Sequence, residues 1–350
     1  MSIRYFLYLG VFALCFGSCN NASETGRQTA ENKADSVTPK KTARRIVILD
    51  PEALTILDSS ALIEVIASGF QWAEGPLYVR DGNYLLFSDV PANRIYKWQE
   101  GKDTSVFLDH SGTAGPIRDP KEPGSNGLVL NNQGQLVLCQ QGDRRMAKMT
   151  APLSDPKPQF IPLAAAYQGK RLNSPNDAVY HPNGNLYFTD PPYGFSKGIR
   201  DSAKQLPFQG VFCLKPDGRL LLLTDELSYP NGIALSPDGK YLFVSNSDDR
   251  NKLWMKYELD RNGLIKSRQV FYHATEYDGR DLGNPDGMKI NKKGYLFAAG
   301  PEGIWLFNPS GKLIAKILTG ELTSNCAFSS GEKELFMTCN HYIMRCRLRG

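Results

Sequence analysis

"NPDGMKINKKGYLF", residues 284–297, sets Asp286 between a proline and a glycine and ends on the apolar run Tyr295, Leu296, Phe297. Alone, the phrase reads as a turn ahead of a strand, because proline fixes φ, aspartate bonds its own backbone and glycine permits positive φ. Its recurrence says more. Six segments repeat one plan, in which a small residue or proline precedes an acid or amide, usually a glycine, and two alternating apolar strands joined by a turn. They read "AEGPLYVRDGNYLLFSDV" from Ala73, "SNGLVLNNQGQLVLCQQ" from Ser125, "PNDAVYHPNGNLYFTDP" from Pro175, "PNGIALSPDGKYLFVSNS" from Pro230, "PDGMKINKKGYLFAAG" from Pro285 and "SNCAFSSGEKELFMTCN" from Ser324.

The shared polar positions are Glu74, Asn126, Asn176, Asn231, Asp286 and Asn325, spaced by 52, 50, 55, 55 and 39 residues. That spacing suits a four-stranded blade with variable loops. Further strand-like runs such as "RIYKWQ", "GVFCLK" and "WMKYEL" follow the first hairpins, and turn signals such as "PNGN" and "PDGK" separate strand pairs. No stretch of helical period as long as a usual helix stands out after residue 65. We therefore expect an all-β chain folded as a six-bladed β-propeller. The short last step predicts a compact fifth blade, and an early strand, "IEVIAS" or "RRIVIL", is expected to close the ring with the C-terminal blade.

The surrounding sequence bounds the function. Of 350 residues, 41 are Lys or Arg and 36 are Asp or Glu, a net charge of +5. Several of those cations lie before residue 46, and no nucleic-acid-binding signature accompanies them. Arg4 precedes an apolar run from Tyr5 to Phe16, then Gly17, Ser18 and Cys19. Residues 1–19 read as a secretory signal, and Cys19 resembles the lipidated cysteine of bacterial lipoproteins. Residues 20–45 are polar and read as a flexible tether, leaving 46–350 for the propeller. Exported, the protein would sit in the periplasm or on the outer membrane through that lipid, with no obligate protein partner inferred. The remaining Cys139, Cys213, Cys326, Cys339 and Cys346 lack C-x-x-C spacing and read as buried thiols, with one disulfide in the last segment.

In a propeller the innermost strand of each blade starts near one mouth of the central channel, so the six polar positions should converge. Two carboxylates among carboxamides make a hard-oxygen set suited to Ca²⁺, and a cation between two anions resolves their repulsion. Zinc would recruit His or Cys, yet His110, His181, His273 and His341 lie outside the repeat positions. No nucleophile elbow and no phosphate loop is present.

From about Trp72 to the C-terminus the chain resembles the SMP-30/gluconolactonase/luciferin-regenerating-enzyme family of calcium-dependent six-bladed lactonases. The phrases that carry the resemblance are "EGP" at 74–76, "NSPNDAVYHPNGNLYFTDPPYG" at 173–194, "PNGIALSPDGKYLFVSNS" at 230–247, "NPDGMKIN" at 284–291 and "SNCAF" at 324–328. It implies Glu74, Asn231 and Asp286 as metal ligands and Asn176 beside the metal, contacting the metal, its water or the substrate. Animal members carry an arginine two residues before that asparagine, where this chain has Ser174, with Arg171 further back. Arg171 and Tyr193 are the candidate substrate contacts. Tyr193 and Phe195 read either as pocket residues or as a packed turn, and Asp190 either as a residue supporting the metal ligands from behind or, by preference, as a turn cap.

The expected activity is opening of a sugar lactone by metal-activated water, with Asp286 and Asn176 as catalytic residues and Asp286 either general base as well as ligand or ligand alone. The competing reading is a calcium-stabilised propeller that binds a sugar, cell-wall fragment or protein without turnover. Organophosphate hydrolysis is a lesser alternative. Specificity is assigned to the loops 109–124, 194–208 and 273–284.

Overall fold

A computed structural model describes residues 43–113, 115–116, 122–280 and 282–349. The expected signal peptide, Cys19 and nearly all of the tether lie outside them. The described chain is a six-bladed β-propeller whose only helices are short 3-10 turns. The innermost strands are Ala73–Val79, Ser125–Leu130, Ala178–Tyr180, Pro230–Leu235, Met288–Ile290 and Thr323–Phe328, each the edge of its own antiparallel sheet.

Of the two candidates for ring closure, Ile63–Ser68 is the one used. It pairs with Tyr342–Arg347 of the sixth blade, Ile63 opposite Cys346 and Ser68 opposite Tyr342. Arg345 reinforces the seam, its Nε and Nη2 lying 3.1 and 2.9 Å from Glu64 Oε2, with Glu334 at 3.3 Å and Glu100 also paired. The other candidate, Arg45–Ile48, adds a fifth strand to blade five by pairing with Leu313–Leu318. Arg45, the last residue of the expected tether, thus opens a strand.

Apolar residues that alternate along each strand fill the spaces between blades. Between blades four and five the packing is aromatic, with the Trp254 and Trp305 rings 5.4 Å apart and Lys316 Nζ 3.7 Å over Trp305. The five cysteines of the described residues are buried and free. Register explains why the expected disulfide is absent: Cys326 faces Met337, Cys339 faces Thr323 and Tyr342, and Cys346 faces Leu335 and Ile63, so no two are opposed.

The repeated glycine has a different purpose from the turn that its sequence suggests. Neither Gly232 nor Gly287 has positive φ. A Cβ on Gly232 would lie 2.2 Å from the Asp286 carbonyl oxygen, so its lack of a side chain is what lets blades four and five meet at the axis. Gly75 combines both needs, with φ of +51° and a would-be Cβ 2.0 Å from the Asn126 carbonyl oxygen. In blades one, two, four and six the pairing slips at or beside the ring position. In blades three and five the inner strand starts only two residues beyond it. The slip lifts the polar residue out of the ladder and towards the axis.

Candidate metal centre and catalytic cavity

A cavity of about 240 Å³ opens at one mouth of the channel. It is lined by Glu74, Asn126, Asn176, Asn231 and Asp286, so five of the six ring residues are brought together. The sixth is not. Asn325 sits one layer deeper, its Nδ2 donating to Asp177 Oδ2 at 3.4 Å and its Oδ1 accepting from Lys289 Nζ at 3.3 Å. Lys289 Nζ is 3.9 Å from Asp177, which places a cation and an anion beneath the ring. The opposite mouth holds a larger cavity, about 1180 Å³, lined by residues such as Leu77, Tyr180, Ile290 and Phe328 and by no ring residue.

Each carboxylate is held by the glycine that follows it. Gly75 N–H donates to Glu74 Oε2 at 3.0 Å, and Gly287 N–H donates to Asp286 Oδ1 at 2.9 Å. Despite these bonds Glu74 is pushed up to about 8, by burial first and then by the charges of Asp177 and Glu122. Asp286 is driven well above the usual carboxylate range by burial, with the Glu74 charge next. Two buried anions that resist ionisation together, ringed by carboxamide oxygens, form a set that fits a hard divalent cation. Among the described residues no group of three or more His, Cys, Asp or Glu side chains is placed to hold a metal ion.

Asn231 Nδ2 donates to Ser247 Oγ at 3.2 Å, and Ser247 donates to the Pro285 carbonyl at 2.5 Å. With its nitrogen committed, Asn231 has Oδ1 left for the cavity. The Tyr193 hydroxyl bonds within the same Ser247–Asn231 group, its ring stacks on Tyr229 at 5.8 Å, and burial with the Asp286 charge holds the phenol protonated. Tyr193 and Asn176 line the cavity. Arg171 does not, and it donates instead to the Asp143 carbonyl at 2.9 Å. Phe195 is packed, 4.6 Å from the Arg144 guanidinium. Asp190 is a cap, accepting the N–H groups of Asn173 and Ser174 at 2.7 and 2.8 Å.

Sequence reasoning did not single out Trp72, Glu122, Ser247, Asp249, Arg280 or Asn284, all of which line the cavity. Glu122, Arg280 and Asn284 belong to or adjoin the loops 109–124 and 273–284, which follow no repeat, so only their position between blades could have flagged them. The 194–208 loop contributes nothing to the lining. Among the described residues that line the cavity, Arg280 is the one cation beside Glu74, Glu122, Asp249 and Asp286. Its segment is anchored by the fully buried Lys252, whose Nζ donates to the Arg280 and Gly283 carbonyls at 2.9 Å each.

The same span of chain is matched in known proteins. The chain is 41% identical to the gluconolactonase of Zymomonas mobilis, with 100% of this chain and 98% of the relative covered. It is 27% identical to the diisopropyl-fluorophosphatase of Loligo vulgaris over 76% of this chain and 85% of that protein. The solved gluconolactonase of Xanthomonas campestris superposes with a TM-score of 0.73 at 28% identity, covering 87% of this chain and 95% of that one. The model of the SMP-30/gluconolactonase/LRE-like region matches residues 72–341, a stretch that begins two residues before Glu74 and takes in every ring position. With the propeller, the ring and that match in agreement, the chain belongs to the SMP-30/gluconolactonase/LRE-like family.

Proposed function

We propose that the protein opens a sugar lactone using Ca²⁺ held by Glu74, Asn231 and Asp286. Lactone hydrolysis is the activity that the family membership supports. The observation that carries the metal dependence is the pairing of two buried, mutually repelling carboxylates in one small cavity. Its volume of about 240 Å³ is below the roughly 300–1,000 Å³ that drug-sized ligands fill, and suits a single sugar ring.

When bound, a divalent cation supplies Lewis-acid polarisation of the lactone carbonyl and charge stabilisation for the oxyanion. The protein supplies the rest. Asn176 and Tyr193, which line the cavity, would orient the substrate or the attacking water. Asp286 uses Oδ1 for the Gly287 N–H, and its other oxygen is available to accept the proton of that water. The water oxygen bonds to the carbonyl carbon, the ring C–O bond breaks, the departing alkoxide takes the proton that Asp286 received, and the aldonic acid so formed releases its remaining proton to solvent as the aldonate. Arg280 offers the new carboxylate a countercharge at the rim.

The test is proton release from sugar lactones by metal-stripped protein, corrected for spontaneous opening, with Ca²⁺ restored and Asp286→Ala alongside. Calcium-restored turnover that the variant lacks supports the reading. Tight calcium binding without turnover points to a binding module, and turnover of a fluorophosphate instead points to the organophosphate alternative. We propose as well that Cys19 carries a lipid anchor, in which case Cys19→Ser moves the protein from the membrane fraction to the soluble one.

A further inference from the structure

Two residues that line the cavity, Asn126 and Asn284, each carry a buried Oδ1 with no hydrogen-bond partner among the described residues. Asn284 is engaged at the rim, where its Nδ2 donates to Asp249 at 2.9 Å. Asn126 is different. It is 4% exposed and stands in the ring beside Glu74, with Gly75 packed against its backbone. Its main chain is fixed, because its carbonyl accepts from Ser88 Oγ at 2.8 Å, and Ser88 in turn meets Ser125 Oγ at 2.9 Å. A buried carbonyl oxygen left without a donor loses the full cost of its desolvation, so the fold retains such a group where something else satisfies it.

We infer that Asn126 Oδ1 is a ligand of the same cation, a fourth oxygen-donor side chain added from blade two to Glu74, Asn231 and Asp286. The inference rests on the calcium reading above. Its chemistry agrees with that cation, which takes six to eight oxygen ligands and accepts neutral carboxamides readily. A neutral donor also adds coordination without a third negative charge in a cavity already crowded with anions.

Direct binding tests it without reference to turnover. Ca²⁺ affinity is measured by calorimetry on the metal-stripped full chain, and the water count on bound Eu³⁺ by luminescence decay in H₂O and D₂O. Wild type, Asn126→Ala and Asn231→Ala are compared. We expect Asn126→Ala to weaken Ca²⁺ on the order of ten-fold and to admit about one more water to Eu³⁺, since water fills a vacated position. Unchanged affinity and water count in Asn126→Ala, with Asn231→Ala impaired, overturn this inference alone. A wild type that binds no Ca²⁺ overturns the calcium reading, and this inference falls with it. Where Asn126→Ala fails to fold, the isosteric Asn126→Asp takes its place. Above pH 8 its added charge tightens Ca²⁺ if the group touches the ion, and unchanged affinity refutes contact.

Discussion

Stripping the cavity of cations and titrating calcium back at several pH values exposes the conflict between Glu74 and Asp286. With Glu74 pushed up to about 8, about nine-tenths of metal-free molecules hold a proton there at pH 7. Asp286, raised by burial and by the Glu74 charge, competes for the same protons. A cation binds the ionised pair, so binding must expel the proton of Glu74 at pH 7, and that of Asp286 as well wherever both are held. Affinity is expected to fall about ten-fold for each pH unit below 8, or about 1.4 kcal/mol. The slope steepens where both carboxyls are protonated.

Stability carries the opposite sign. Between the ordinary glutamate value of 4.5 and about 8, the metal-free fold holds a proton that the unfolded chain has released. Its stability is therefore fully present below that window and falls as pH rises through it, by about 1.4 kcal/mol per unit from Glu74. Calcium reverses the trend by favouring the ionised pair. Calorimetry in two buffers of different ionisation enthalpy counts the protons, and thermal unfolding with and without Ca²⁺ reads the stability. Glu74→Gln removes one proton from the count. Affinity that stays flat from pH 6 to 8 with no proton released would mean that the two carboxyls are already ionised apart, and the assignment of both to one cation would be wrong.

Ser247→Ala releases the Asn231 amide, and calcium affinity measured by titration is expected to drop on the order of ten-fold while the melting temperature changes little. Gly232→Ala drives a methyl towards the Asp286 carbonyl 2.2 Å away, and chemical denaturation is expected to show a loss of about 1–3 kcal/mol together with weakened metal binding. Arg345→Ala cuts the seam between the closing strand and blade six; it should destabilise by about 1–3 kcal/mol in denaturant and leave kcat unchanged below the transition. Arg280→Ala, at the rim, is expected to raise KM for a lactone several-fold with calcium affinity unaltered, whereas a fall in calcium affinity would place the guanidinium in a structural role.

The propeller and most of its ring were legible because one physical demand recurs once per blade. Each inner strand must enter the channel beside its neighbour, and the small residue, polar residue and glycine leave that demand written in sequence at intervals of 39 to 55 residues. What repetition could not reveal was depth. Asn325 carries the same signature as Asn126, yet Asp177 and Lys289 draw it into the layer below. Arg171 looked like a substitute for the missing arginine because it is near in sequence, but its guanidinium is taken by a backbone carbonyl. Arg280 reaches the cavity from a loop with no counterpart in other blades, so no internal comparison could select it. The expected disulfide failed because register, which composition does not record, keeps the three last cysteines from facing one another.

The same division separates the cation from the specificity. Second-strand ends hold the loops that enter the ring: Asp89 accepts the N–H groups of Gln71 and Trp72, Asp190 those of Asn173 and Ser174, and Asn246 that of Tyr229. Such bonds contribute about 0.5–1.5 kcal/mol each to a neutral acceptor such as Asn246 and about 1.5–3 kcal/mol to an ionised carboxylate, and none of these acceptors belongs to the rim loops. Those loops supply Glu122, Arg280 and Asn284 to the cavity lining, and of these Glu122 acts on the ring through its charge. On the calcium reading, a ring that presents a cation to a polarised oxygen would serve a carbonyl or a phosphoryl electrophile alike, leaving the choice between them to the rim. Relatives as different as a gluconolactonase and a diisopropyl-fluorophosphatase are then what this architecture leads one to expect. Exchanging the 273–284 loop should accordingly alter which ester is opened while calcium affinity stays within a few-fold of wild type, and a matched loss of both would show that ring and rim are one mechanical unit.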